Sequence, residues 1–327
     1  MVTKDFKRVE LAVDLDELIL RPDLDLGFVV SVEDFESLIQ PYQLQQNVFC
    51  QLLNKVDRCN SPNQHGWLIR TKCGKEALIG KDCAKSKFHA DHDFFKQTRK
   101  IERQLSITQS LDFLNDVFLN KEDFSGKLNE CRERLSSIRE RRASVVDAIP
   151  DSIKSSLVDM MKRQAASVFV EIQYKTKNNK GEDVIEWVKH SLGSISNMGI
   201  INYEPISKIY RKCKSIKEAF DEFEPIPEHG HKALKKWVSD ISLIDEVVKD
   251  IDKLELGLNS FSHFDNLSLL LFVSPNVDDR RSVSSLINET CFDSLKTDFE
   301  MSVIVKEIDS RLRKDVGGRE FRVCRQA

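Results

Sequence analysis

The chain has 327 residues, 40% of them hydrophobic and 31% charged, and a formal net charge of −3. That length can bury two or three cores, and the longest largely apolar run, 267–273, broken only by Ser268, is too short to cross a bilayer. Gly (12) and Pro (8) are too scarce for an all-β architecture dense in tight turns, so a mainly α-helical fold is expected.

The first 47 residues form an acidic segment. Residues 1–46 hold ten acids against four bases, and acids stand where a signal peptide needs an uninterrupted apolar core. A cytoplasmic protein without a membrane anchor is therefore expected, its eight cysteines reduced or bound to metal rather than paired in disulfides. Short extended stretches around Leu18 and Gly27 precede Ser31-Val32-Glu33-Asp34, which fits a capping box opening a helix through Ile39. Pro41 ends that helix, and a second one carries Val48, Phe49, Leu52, Leu53 and Val56 at helical spacing.

Residues 48–95 are predicted to form a small zinc-stabilised α+β module. Cys50, Cys59, His65, Cys73, Cys83, His89 and His92 crowd into this part of the chain, a density of thiolate and imidazole donors suited to zinc. Residues 67–71 and 76–80 read as two strands joined at Cys73-Gly74-Lys75, and Lys81-Asp82-Cys83-Ala84 opens a helix. A knuckle and a helix start can bring ligands together without a large core, as in treble-clef fingers. Cys59, Cys73 and Cys83 fall in polar, turn-rich contexts and are the first three expected ligands. Cys50 is taken as the fourth, with His65 as its alternative and His89 or His92 as further donors. A paired CxxC spacing is missing, and Cys50 beside Phe49 also reads as a small buried hydrophobe.

The stretch Ile79-Gly80-Lys81-Asp82-Cys83-Ala84-Lys85-Ser86-Lys87-Phe88-His89 resembles cysteine-bearing segments of phage and mobile-element proteins, over residues 65–95 only. The resemblance implies a zinc knuckle in a phage- or defence-related setting and carries no activity with it. His89, Asp91 and His92, with Asp93, would together suit a catalytic divalent metal in a nuclease. The plainer reading is that His92 and Asp93 cap the next helix.

A helical region with a β-hairpin is expected over 96–224. Leu128, Cys131, Leu135 and Ile138 make an apolar stripe at heptad spacing, and the strands 168–176 and 183–190 flank a Lys-Asn-Asn-Lys-Gly turn. In the C-terminal helical region, 225–327, Trp237, Ile241, Ile244, Val248, Ile251 and Leu258 continue a heptad stripe. Helices 128–149 and 228–258 are thus expected to pair as coiled-coil-like strands, within the chain or with a protein partner.

Residues 54–100 carry eleven bases against five acids. Arg70, Lys72, Lys81, Lys85 and Lys87 of the module, with Arg139, Arg141 and Arg142 of the basic helix, are the expected nucleic-acid contacts. Glu130, Glu133 and Glu140 interleave with those arginines, as on a solvated flank. No phosphate loop, dinucleotide fingerprint or nucleophile elbow is present. The leading expectation is a non-enzymatic, zinc-stabilised, nucleic-acid-associated protein; a helical interaction scaffold and a metal-dependent nuclease are the alternatives.

Overall fold

A computed structural model describes residues 11–90, 92–223, 230–292 and 298–324. The chain divides into two compact units, Met1–Lys121 with Phe223–Ser239 and Glu122–Glu222 with Asp240–Ala327. It is mainly helical, with small antiparallel sheets.

The first unit is built on strands. After α1 (Leu15–Ile19) come β1 (Phe35–Phe49), a two-residue ladder of β2 (Leu53–Asn54) and β3 (Asp57–Arg58), then β4 (Pro62–Thr71) and β5 (Glu76–Gly80). The helices α2 (Lys81–Lys87) and α3 (Asp93–Leu119) follow. The sheet order is β1-β4-β5, both pairings antiparallel.

The two helices expected between 34 and 56 are absent. The capping box of Ser31 and Asp34 does form, but it closes a single 3-10 turn and feeds directly into β1. Helical spacing misled because β1 has irregularities at Phe35/Ser37, Leu38/Gln40 and Gln43/Val48, which break the strand's simple alternation. Pro41 is tolerated because β1 lies at the sheet edge, where a missing N–H costs no ladder bond. Val48 is buried and Phe49 exposed at the end of β1, and beyond it Cys50, Gln51 and Leu52 are all buried while Leu53 and Val56 are exposed, so no helical face forms there.

The sheet is covered on both faces, so β4 and β5 read as unbroken apolar runs. Trp67, Ile69, Ala77 and Ile79 join Phe88, Phe94 and Ile101 of the α2–α3 side in one cluster. Leu68 and Leu78 join Leu18, Tyr42 and Leu44 in the other. Gly66 and Gly80 face each other across β4 and β5. A Cβ on Gly66 would collide with the Ile79 carbonyl and the Tyr42 ring, and one on Gly80 with the Asn63 side chain, so both positions need glycine.

The second unit contains most of α4 (Lys121–Asp147), then α5 (Asp151–Lys162), β6 (Ser167–Lys177), β7 (Asp183–Ser194) and α6 (Glu204–Glu222). After α7 (His231–Ile241), most of which belongs to the first unit, the second continues with α8 (Ile244–Phe261), α9 (Phe264–Leu270), α10 (Val277–Cys291), α11 (Asp298–Asp315) and β8 (Phe321–Val323). The expected hairpin is the β6–β7 pair, and β8 adds to its other side in the order β7-β6-β8. The Asn178 side chain accepts from the Lys180 and Glu182 amides, and Gly181 turns at a φ of +79°, which fixes the connection.

The stripes of α4 and α8 meet in one large apolar cluster containing Leu128, Cys131, Leu135 and Ile138 with Ile244, Val247, Ile251 and Leu258. Lys127 pairs with Asp245 at 2.6 Å, Arg134 with Asp252 at 2.7 Å, and Arg141 donates to Asn259 at 2.5 Å. These steps advance by seven residues on both helices, so α4 and α8 run in the same direction in register. The single long helix expected over 228–258 is instead α7 and α8, separated after Ile241; residue 228 lies outside the described residues.

Candidate metal centre

Cys50, Cys59 and Cys83 come together. Their sulfur atoms all lie within 4.8 Å of one another, and Cys59 and Cys83 are 3.5 Å apart. The hairpin that follows β1 closes the gap between the first two. The Cys50 amide donates to the Ser61 carbonyl at 3.0 Å, and the Asn60 amide returns to the Cys50 carbonyl at 3.3 Å. Asn60 takes a left-handed φ of 53°, which turns the chain just after Cys59. Cys83 arrives from the first turn of α2, and the Gly80 amide donates to the Cys50 sulfur at 3.4 Å.

Two side chains that the sequence reading passed over hold this hairpin against the sheet. Gln51 is fully buried and its amide is fully used. It donates to the carbonyls of Asp25 and Phe28, both at 2.7 Å, and accepts from the Leu78 amide at 2.7 Å. Arg58 donates to the carbonyls of Leu26, Phe49 and Cys50. A lone Gln between Cys50 and Leu52, in an otherwise apolar stretch, was the available signal, since a buried amide must find partners.

The donor chemistry fits a soft or borderline metal ion. A tetrahedral shell with metal–sulfur bonds of about 2.3 Å separates its sulfurs by roughly 3.8 Å, near the 3.5 Å between Cys59 and Cys83 and inside the 4.8 Å that bounds the group. The Ser61 hydroxyl, 3.2 Å from the Cys59 sulfur, holds that thiol below its ordinary value. Burial, together with the neighbouring thiols, pushes Cys83 up to about 12. A cation bound among sulfur donors stabilises thiolate over thiol. These three cysteines can hold a metal ion.

The other expected ligands are elsewhere. Cys73 is exposed in the β4–β5 turn, its sulfur 3.2 Å from the Thr71 hydroxyl, and it does not belong to the sulfur group. The knuckle at Cys73-Gly74 is thus a plain hairpin turn, and the turn that joins the sulfur group is the one at Cys59. His65 is exposed on β4 opposite Gln43, also outside the group. His92 caps α3, its Nδ1 accepting from the Phe94 amide at 3.1 Å, while its ring packs edge-on against Phe35 and Phe88. His89 is exposed, and Asp91 lies outside the described residues. The capping reading of His92 holds, and the His89–Asp91–His92 constellation gains no geometry from the described residues.

The expected nucleic-acid contacts divide. Arg70 donates to Glu76 at 2.9 Å. Glu76 is only 1% exposed and also receives Arg21 at 2.6 Å, so Arg70 serves a buried carboxylate. Arg142 is buried and donates to the carbonyls of Ile200 and Ile201, which removes it from any outer surface. Arg141 is tied to Asn259, and Lys87 donates to Asn54. Lys72, Lys81, Lys85 and Arg139 are exposed and make no ion pair among the described residues. No described helix is long and apolar enough to cross a membrane. No protein-family model, curated protein or solved structure matches the chain.

Proposed function

We propose that this is a zinc-binding, nucleic-acid-associated protein in which the metal staples the first unit and exposed basic groups meet the phosphate backbone. The observation that carries the metal half is the approach of three sulfurs from two separate parts of the chain. Cys50, Cys59 and Cys83 would hold the ion, which supplies a fixed cross-link between the hairpin and α2. Zinc is favoured over harder cations because all three donors are thiols. The nucleic-acid half rests on Lys72, Lys81 and Lys85, cations with no ion-pair partner among the described residues, in the most basic stretch of the sequence.

The scaffold alternative loses support because the heptad faces of α4 and α8 are already buried against one core. The nuclease alternative loses support because His92 is spent on a helix cap.

Metal content of protein purified without chelator tests the first half. About one zinc per chain is expected, lost in Cys59→Ser and Cys83→Ser and kept in Cys73→Ser. Loss in Cys73→Ser equal to that in Cys83→Ser would overturn the ligand set. Binding to labelled oligonucleotides over a salt series tests the second half, with affinity expected to fall steeply as salt rises. Binding that is absent even at low salt would overturn it.

A further inference from the structure

The arginines of α4 are sorted by what they face. Arg134 is neutralised by Asp252 and Glu255, Arg141 is held by Asn259, and Arg142 is buried on two backbone carbonyls. Arg132 and Arg139 are exposed and form no ion pair among the described residues. Both line a groove of about 640 Å³ between α4 and the start of α6. Seven residues separate them, so they stand two turns and about 10 Å apart along one face.

The opposite wall repeats that spacing with aromatic rings. Tyr203 and Tyr210 are also seven residues apart, line the same groove, and remain 43% and 58% exposed. The Arg142 guanidinium lies 5.4 Å from the centre of the Tyr203 ring and is itself fixed by the Ile200 and Ile201 carbonyls, so that ring is held in place. Leu135 and Ile206 are buried beneath and give the groove an apolar floor. Glu133, also in the lining, is the acid that faces the two arginines' side.

Two unneutralised guanidinium groups opposite two half-exposed phenol rings match a ligand that alternates anionic charge with flat apolar faces. From this geometry we infer that the groove binds single-stranded nucleic acid, with bases stacked on Tyr203 and Tyr210 and phosphates held by Arg132 and Arg139. A concave site suits a flexible strand better than a duplex, which is read by an element that projects into its grooves. An acidic peptide would use the arginines and leave the tyrosines without a role. The inference rests on the nucleic-acid reading above and gives it a place and a strandedness.

The test is fluorescence anisotropy of full-length, metal-loaded protein with a labelled oligothymidylate and with a duplex of equal length. Tyr203→Ala with Tyr210→Ala should weaken oligothymidylate binding by about ten- to a hundred-fold, and the Tyr→Phe pair should retain it, because stacking needs the ring and not the hydroxyl. Arg132→Ala with Arg139→Ala should lower the slope of log affinity against log salt by about 1.4. Glu133→Gln should tighten binding several-fold, a gain that a misfolded variant cannot mimic. Wild-type binding that none of these changes alters, or binding confined to the duplex, would overturn the groove while leaving the broader reading intact. No binding of either probe at low salt would remove the broader reading and this inference together.

Discussion

The two units are stabilised by different physics. The second gathers α4, α6, α8, α10 and the β6 strand around one continuous apolar cluster. The first splits its apolar residues into two small clusters on opposite faces of a three-stranded sheet. Small cores bury too little surface to offset chain entropy comfortably, and cross-links are the usual remedy. The three-thiol group sits in the unit that needs such a cross-link. Chelating the metal, or Cys83→Ser, should therefore destabilise the first unit by more than about 3 kcal/mol and leave the second almost unchanged. Hydrogen exchange would read this directly: protection is expected to collapse at Leu68 and Leu78 and to persist at Val247 and Ile251. Uniform loss across both units would break the comparison.

The converse perturbation belongs to the second unit. Leu258 is fully buried on α8, in the cluster it shares with Leu135 and Ile138. Leu258→Ala should cost about 3 kcal/mol through lost burial and the cavity left behind. Thermal unfolding followed by circular dichroism should show the main helical transition moving down, while bound metal stays constant.

The unequal legibility of the two units has the same origin. In the second, α4 and β6 each bury one face, so periodicity reported them: the Leu128–Ile138 stripe, the hairpin and its Asn-Asn-Lys-Gly turn were all readable. In the first, the sheet is buried on both faces and β1 is bulged, so neither period 2 nor period 3.6 was clean. The capping box at Ser31 was real but local, and it could not reveal that a strand follows one turn later. Among the cysteines, sequence density pointed to the stretch in which three of them gather. It could not separate Cys73 from Cys50, because composition does not show the backbone hydrogen bonds that close the hairpin between Cys50 and Ser61. Arg142 looked like a surface cation because nothing local announces the Ile200 carbonyl as its partner, whereas Arg70 faces Glu76 across the β4–β5 hairpin, a pairing that the register of the two strands could have shown.

Smaller effects sharpen the contrast between buried and exposed charge. Glu76 is held below the ordinary carboxylate value, first by its hydrogen bonds from Arg21 and then by Arg70, against the opposing cost of burial. Its depressed value means the carboxylate stabilises the first unit above the ordinary value of 4.5, and that this contribution is lost as pH falls through the lower folded value. Glu76→Gln should cost about 1–2 kcal/mol at neutral pH, and its difference from wild type should shrink as the pH is taken below 4.5. Denaturant titrations at several pH values check this, and a difference independent of pH would mean that Glu76 acts by shape alone.

The weakest effect is expected in the ion-pair ladder between α4 and α8. Arg134 bridges Asp252 and Glu255, and those hydrogen bonds raise its pKa, yet all three side chains keep contact with solvent. Water and salt screen such pairs, so Arg134→Ala should cost only about 0.5 kcal/mol at low ionic strength and less in high salt. Lys127→Ala, which removes the still more exposed pair to Asp245, should cost less again. These pairs set the register of two helices whose stability comes from Ile138, Ile251 and Leu258 beneath them. If Arg134→Ala instead matched the cost of Leu258→Ala, the parallel pairing of α4 and α8 would owe its stability to charge, and the division between a small-cored first unit and a core-held second one would have to be redrawn.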